Sequence, residues 1–390
     1  MITVDDARSL LLDLVASLPT ERVDLVASAG RTLSEDLAAR RDQPPFAASA
    51  MDGYAMKSAE VELHAMFKVI GEAAAGHAFD GEVGPGQAVR IFTGAPVPEG
   101  ADFVVIQEDI SRTGDLITIR DEPGSSSNIR AKGGDFQVGT TVDAPKRLRA
   151  EDVALLAAMN CDTVPVTRRP VVALISTGDE LVMPGDTPTP DQIIASNTFG
   201  LKAMLEQAGA EVRMLPIARD TEASLTTAFS LADGADLVVT IGGASVGDHD
   251  LVGKVARDLG MDRAFYKVAM RPGKPLMAGR LNGAAMVGLP GNPVSAMVCG
   301  EIFLKPMIQK MLGFADQKPD VMRAVLTAPL TANGPREHYM RATLSSDGIA
   351  AFDNQDSAML TLLAQADALL IRPPHDPARA VGDEVEYLKL

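Results

Sequence analysis

Apolar and polar positions alternate with a period that changes along the chain. Residues 3–18 carry apolar side chains at helical spacing, and Thr3 stands as an N-cap ahead of Asp5 and Asp6 at the positive end of the helix dipole. A helix is therefore expected up to Pro19. From 46 to about 140 the text becomes short β-type runs cut by Gly and Pro: FKVIGEAAAG, GQAVRIFTG, ADFVVIQED and DLITIRDEP. Helical spacing returns in AEDVALLAAMN at 150–160, with Glu151 and Asp152 in its first turn.

Residues 170–312 alternate strand and helix. PVVALIST, EVRMLPIA, ADLVVTIGG, KPLMAGRL and AAMVGLPG read as strands; SNTFGLKAMLEQAG, TEASLTTAFSLAD and a long stretch from Pro293 to Leu312 read as helices. Near-continuous apolar strands in such an alternation predict a doubly wound parallel sheet, whose ligands bind beyond the strand C-termini. After Lys318-Pro319 the runs VMRAVLTAPL, HYMRATLSS, DALLIRPP and DEVEYLKL predict a small β-barrel or sandwich. The expected class is thus α/β plus β.

Composition narrows the function classes. At 390 residues the chain should divide into several domains, and 34 Gly with 25 Pro exclude a long coiled coil. A net charge of −16 disfavours binding to nucleic acid or anionic lipid. The middle third is nearly neutral, because Lys254, Arg257, Arg263, Lys267, Arg271, Lys274 and Arg280 crowd one short stretch against Asp258 and Asp262. If the protein handles an anion, that stretch is the first place for it. Cys161 and Cys299 cannot make a disulfide framework, and no Cys/His spacing suits zinc. The acidic N-terminus lacks secretory-signal features and no apolar run approaches a membrane span, so a cytoplasmic protein without membrane contact is expected.

Four turns in the middle third carry candidate chemistry. Thr177-Gly178-Asp179-Glu180 follows a buried strand and presents polar groups at its C-terminal edge, as many simple turns also do. Gly242-Gly243-Ala244-Ser245-Val246-Gly247-Asp248-His249-Asp250 can converge backbone N–H groups on an oxyanion. Asp220 and Asp250 would face the same crevice, and carboxylates beside a phosphate cradle suggest Mg²⁺, although each acid could equally cap the helix after it. Lys267, Arg271 and Lys274, fixed by Pro272, Gly273 and Pro275, can converge on a multiply charged anion. Gly288-Leu289-Pro290-Gly291-Asn292-Pro293 places Asn292 as N-cap and Pro293 at the first helical position. Upstream, Asp52 in SAMDGYA is either a ligand-facing acid or an ordinary Asp-Gly turn.

PPFxxSAMDGYA, RIFTGAPVPEGAD, STGDEL, GGASVGDHD, MRPGKP and GLPGNPVSA, in this order, closely resemble the MoeA-type molybdopterin molybdenumtransferases, relatives of the gephyrin C-terminal domain, from about residue 3 to 390. The resemblance implies a homodimer of four-domain subunits: residues 1–45 with 140–168 a discontinuous N-terminal domain, 46–139 a β-rich domain, 169–312 an α/β molybdopterin-binding domain, and 318–390 a C-terminal β-barrel. It implies insertion of molybdenum from molybdate into adenylylated molybdopterin, with release of AMP and help from Mg²⁺. By the same likeness Asp52 and Thr93 act across the dimer interface, with Asp135 in their domain. Glu180, Asp220 and Asp250 surround Mg²⁺ and the reacting phosphate, Lys267 and Arg271 bind anions, Pro290 and Pro293 shape the pocket, and Ser357 lies at the substrate. Molybdopterin adenylyltransferase and molybdoenzyme maturation factors would be its partners. Ala47, Ala48, Ala244, His249 and Asp356 depart from the family pattern. A non-catalytic scaffold of the same fold is the competing reading, and the retained acids Asp52, Glu180, Asp220 and Asp250 argue against it.

Overall fold

The computed structural model describes residues 1–243, 251–315 and 319–390. It is a mixed α/β chain with extensive sheets, and the element types follow the local patterns closely. Thr3 caps the first helix, Val4–Asp13, by accepting from the Asp6 N–H in a reciprocal capping box. That helix ends at Asp13, short of Pro19, and side chains from elsewhere in the chain satisfy its last carbonyls. Lys310 Nζ donates to the Leu12 carbonyl at 2.7 Å and Arg280 to that of Asp13 at 3.2 Å.

The segments on either side of the β-rich stretch meet in one sheet. Thr20–Asp24 pairs antiparallel with Thr163–Thr167, and Thr32–Leu33 with Lys146–Arg147. Val4, Ala7 and Leu11 do not join that unit; they are buried in the core of the central α/β sheet. Ile2 also bridges Val268 there, so the first helix packs with residues far along the chain. Between these segments stands a six-stranded sheet in the order Phe103–Ile106, Gly53–Met56, Gln87–Ile91, Met66–Ala73, Leu116–Ile119, Ile110–Thr113.

The central sheet runs Glu211–Met214, Val171–Ser176, Leu237–Ile241, Ala284–Leu289, Met277–Leu281, Asp262–Tyr266. Its first four strands are parallel, and Val171–Ser176, Leu237–Ile241 and Ala284–Leu289 are buried, as the apolar runs require, while the edge strand Glu211–Met214 is only partly so. The last two are antiparallel, which corrects the expectation of a wholly parallel sheet. The cause is local: Asn282 (φ 50°) and Gly283 (φ 86°) form a two-residue hairpin, and both positive φ values suit a type I′ turn. The long C-terminal stretch of this unit is helical over Pro293–Cys299 and Lys305–Met311, with a π-helical turn, Gly300–Leu304, between them.

After it, Glu337–Ser345, Ala368–Arg372, Glu384–Lys389 and Val321–Val325 pair in sequence, and Gly348–Ala351 pairs with Glu337–Ser345. The Leu326–Ile349 bridge closes these five strands into a ring. Met270–Arg271 adds to the ring's side, parallel to Glu337–Ser345, and so ties it to the central unit. Among the described residues no helix is long and apolar enough to cross a membrane.

Candidate active site

The turns that leave the parallel strands of the central sheet wall a cavity of about 440 Å³. Thr177, Glu180, Asp220, Gly242, Gly243, Pro290 and Pro293 all line it, as the sequence suggests. Thr177 is buried and its N–H donates to the Ile241 carbonyl at 3.0 Å, which pins the first turn against the third strand. Gly242 and Gly243 both have positive φ, 93° and 64°. A Cβ on Gly242 would lie 2.8 Å from the Thr177 carbonyl oxygen, and one on Gly243 2.3 Å from Val252, so only glycine lets this backbone turn so close to the wall. Ser245, Gly247 and Asp250 fall outside the described residues.

Asp220 does not cap the helix that follows it. Thr221 is the N-cap, its hydroxyl accepting from the Ser224 N–H at 3.2 Å. The Asp220 carboxylate is left facing the cavity beside Asp179 and Glu180. Partial loss of water and the negative charge of these two acids hold its carboxyl above the usual aspartate range. Such a site favours a cation or a shared proton. Among the described residues no group of three acids, histidines or cysteines is arranged to hold a metal ion.

A second cavity, of about 790 Å³, adjoins the first through Pro275 and Asn292 and lies between the central unit and the C-terminal ring. Arg271, Lys274 and Ser357 line it together with Arg336, His338 and Arg372. Arg271 and Lys274 are exposed and make no side-chain hydrogen bond or ion pair among the described residues. Asn292 stands at the N-cap position of Pro293–Cys299 but makes no side-chain bond to that helix. Its Nδ2 donates instead to Ser357 Oγ at 3.0 Å, joining the two cavities' walls. Lys267 lines neither cavity, contrary to the expectation of three converging cations. It follows the outermost antiparallel strand, three strands or roughly 14 Å from the Gly242 turn, and its ammonium stands 5.1 Å from the centroid of the Tyr266 ring.

Asp52, Thr93 and Asp135 also lie away from both cavities' walls. Asp52 and Thr93 are nevertheless brought together. The Thr93 N–H and hydroxyl donate to Asp52 Oδ1 at 2.7 and 2.8 Å, and these bonds hold the carboxylate below its usual range. Arg90 is stacked between Tyr54 and Phe92 beside this pair, and donates to the Gly53 carbonyl at 3.0 Å. Asp135 follows the Gly133-Gly134 turn, its N–H bonded to the Gln43 carbonyl at 2.9 Å.

Three family models match consecutive stretches: the MoeA N-terminal region (domain I and II) over residues 2–160, the probable molybdopterin binding domain over 173–310, and the MoeA C-terminal region (domain IV) over 323–390. A molybdopterin molybdenumtransferase from Nostoc sp. is 36% identical over 410 aligned positions, covering 100% of this chain and 94% of its own. The chain belongs to the molybdopterin molybdenumtransferase family. The family's enzyme from Haemophilus influenzae is 38% identical across 87% of this chain and 85% of its own. The solved molybdopterin biosynthesis MoeA protein of Pyrococcus horikosii superposes with a TM-score of 0.85 at 29% identity, covering 100% of this chain and 99% of that one.

Arg336, His338, Asn333, Gln355 and Arg372 were not legible as site residues. One signal was present, since Arg336 and His338 sit two apart in a strand-forming run and so share a face. What makes them a site is the long-range pairing of Arg271 with His338.

Proposed function

We propose that the chain works in molybdenum cofactor biosynthesis as a transferase, taking adenylylated molybdopterin in the first cavity and molybdate in the second. The observation that carries this reading is the junction of an acid-walled cavity with a cation-walled one at Pro275 and Asn292. A phosphoanhydride must be cleaved beside a tetrahedral oxyanion, so the reaction calls for a carboxylate set and a cationic set within reach of one another. The names of the relatives favour an enzyme over a scaffold.

In this reading the Gly242-Gly243 turn offers the Gly243 N–H to the phosphates, the Gly242 N–H being donated to the Leu289 carbonyl at 3.1 Å, and Thr177, Pro290 and Pro293 shape the floor. Arg271 and Lys274 attract the oxyanion, with Ser357 at its edge, while Lys267 adds to the field from the outer strand. Glu180 and Asp220 would hold Mg²⁺ together with Asp250. Asp220 and Glu180 fit that ion in kind: they offer hard carboxylate oxygens, crowded together and without an ion-pair partner among the described residues, beside a place for phosphate. Mg²⁺ would neutralise phosphate charge as AMP leaves.

Asp52, Thr93 and Asp135 contribute to a composite site if the enzyme is a homodimer, which their distance from both cavities supports. The division at residues 45, 140, 168 and 318 into four domains, with the first helix packed on the α/β unit, a cytoplasmic location, and work with molybdopterin adenylyltransferase and molybdoenzyme maturation factors belong to the same proposal. Incubation with adenylylated molybdopterin, molybdate and Mg²⁺, following AMP release, tests it. Wild type should release AMP and form active cofactor, and Asp220→Asn should bind the nucleotide but release little AMP. Absence of turnover in a folded wild-type protein overturns the reading.

A further inference from the structure

The C-terminal ring presents an unusual row of side chains to the second cavity. In the parallel register Arg271 stands opposite His338, and in the antiparallel register His338 stands opposite Arg372. Neighbours across a sheet point to the same face, so an imidazole sits between two guanidiniums. Arg336, two residues before it in the bend that leads into the strand, adds a third. Arg372 is neutralised by Asp376 behind it, but Arg271 and Lys274 have no such partner among the described residues. On the cavity rim only Asp353 and Asp356 are acidic among the described residues, and Arg341 stands on the strand's other face, bonded to Gln355.

His338 is 7% exposed, and its ring nitrogens make no hydrogen bond among the described residues. A buried polar ring that lines a cavity and has no protein partner is available to a ligand. A permanent cation at this position would add repulsion to an already positive cluster, whereas an imidazole can stay neutral there. Burial first, then Arg271, Arg372, Arg336 and Arg341, bring its pKa down to about 4.

We propose that His338 is the switchable donor of this cavity: neutral when no anion is bound, it takes up a proton and a hydrogen bond to an oxyanion when a tetrahedral dianion enters. The proton comes from solvent and no covalent bond changes. The inference rests on reading the second cavity as the oxyanion site, and it adds the residue that couples occupancy to protonation. A dianion offsets the guanidinium charge that kept the ring neutral, so binding tightens as pH falls from 8 toward 5. A proton held one hydrogen bond from an oxyanion oxygen is also well placed for a group that must shed oxygen as water.

The test is titration calorimetry of the full chain with sulfate, which remains a dianion across this range, in two buffers of different ionisation enthalpy at pH 5.5, 6.5 and 7.5. Wild type should take up a substantial fraction of one proton per sulfate at pH 6.5. His338→Gln should abolish that uptake and weaken binding at pH 5.5 by about tenfold, the loss of one charge-assisted bond. His338→Asn serves as a second variant, and the wild-type proton count stands even if neither folds. If wild type binds no sulfate, or Arg271→Ala binds it equally well, the cavity reading falls and this inference with it. If sulfate binds, Arg271→Ala weakens it, and wild type takes up no proton, or His338→Gln keeps both affinity and uptake, then the oxyanion site stands and the role of His338 is overturned.

Discussion

The wall of the cationic cavity depends on a buried ion pair that can be removed one charge at a time. Arg372 and Asp376 side chains are 2% and 4% exposed and hydrogen-bonded to each other. Asp376 also accepts from Arg379 at 2.6 Å, while Arg372 donates to the Thr331 and Pro377 carbonyls at 3.1 and 2.7 Å. Asp376→Asn keeps the shape and removes the charge, leaving an amide N–H₂ to face one of two guanidiniums. Breaking a buried pair costs about 3–5 kcal/mol. The two carbonyl bonds that Arg372 retains, and the freedom of the 35%-exposed Arg379 to turn to water, place the expected loss near the bottom of that range, about 3 kcal/mol. The chain has four Tyr and no Trp, and Tyr339 and Tyr387 both lie in the C-terminal ring, so urea unfolding followed by tyrosine fluorescence reports on this unit. The control is Arg372→Met with Asp376→Leu, which removes both charges and should lose clearly less than the single variant. A loss under about 1 kcal/mol in Asp376→Asn, or a double variant no better than the single one, would show that packing rather than charge holds this wall.

Three further outcomes follow from the geometry. Because the folded pKa of His338 lies near 4 against an ordinary 6.5, the unfolded chain binds the extra proton in that window. Stability from this group is therefore full above pH 6.5 and lost as pH falls, by about 2 kcal/mol at pH 5; denaturant titrations at pH 7.5 and 5 should show this loss in wild type, less of it with saturating sulfate, and none in His338→Gln. Gly243→Ala puts a methyl against Val252 on left-handed backbone, so nucleotide affinity measured by calorimetry should drop more than tenfold; unchanged affinity would remove this turn from the phosphate site. Mixing Asp52→Ala chains with Asp220→Asn chains should restore part of the AMP release if the site is shared between subunits, and heterodimers without recovery would place both acids in one subunit's site.

How far the sequence carried the argument depends on whether a feature is local. Helix and strand type in the central unit are set within ten residues, and Val171–Ser176 and Leu237–Ile241 are strands for the reason their apolar runs suggest. The Asn282-Gly283 hairpin was also local, and that dipeptide was the available sign that the sheet's last strands run antiparallel. Choosing Thr221 rather than Asp220 as cap was beyond such reading, since both residue types cap helices and only backbone geometry separates them.

The acid half of the site and its basic half were unequally legible for a physical reason. In a parallel α/β sheet every strand ends on the same edge, so Glu180, Asp220 and the Gly242-Gly243 turn are gathered by topology alone once the alternation is recognised. No such rule joins Arg271 to Arg336, His338 and Arg372. Those four meet because Met270–Arg271 leaves the central unit to lie beside Glu337–Ser345, a pairing across some 65 residues that no spacing encodes. Lys267 is set apart by the same crossing of the chain. At intervals of four and three, Lys267, Arg271 and Lys274 look like one cluster, but the chain crosses between two units within those eight residues, and the first cation stays with the sheet it leaves. Charge proximity along a chain predicts convergence only while the chain stays within one element or one turn, and here it does not.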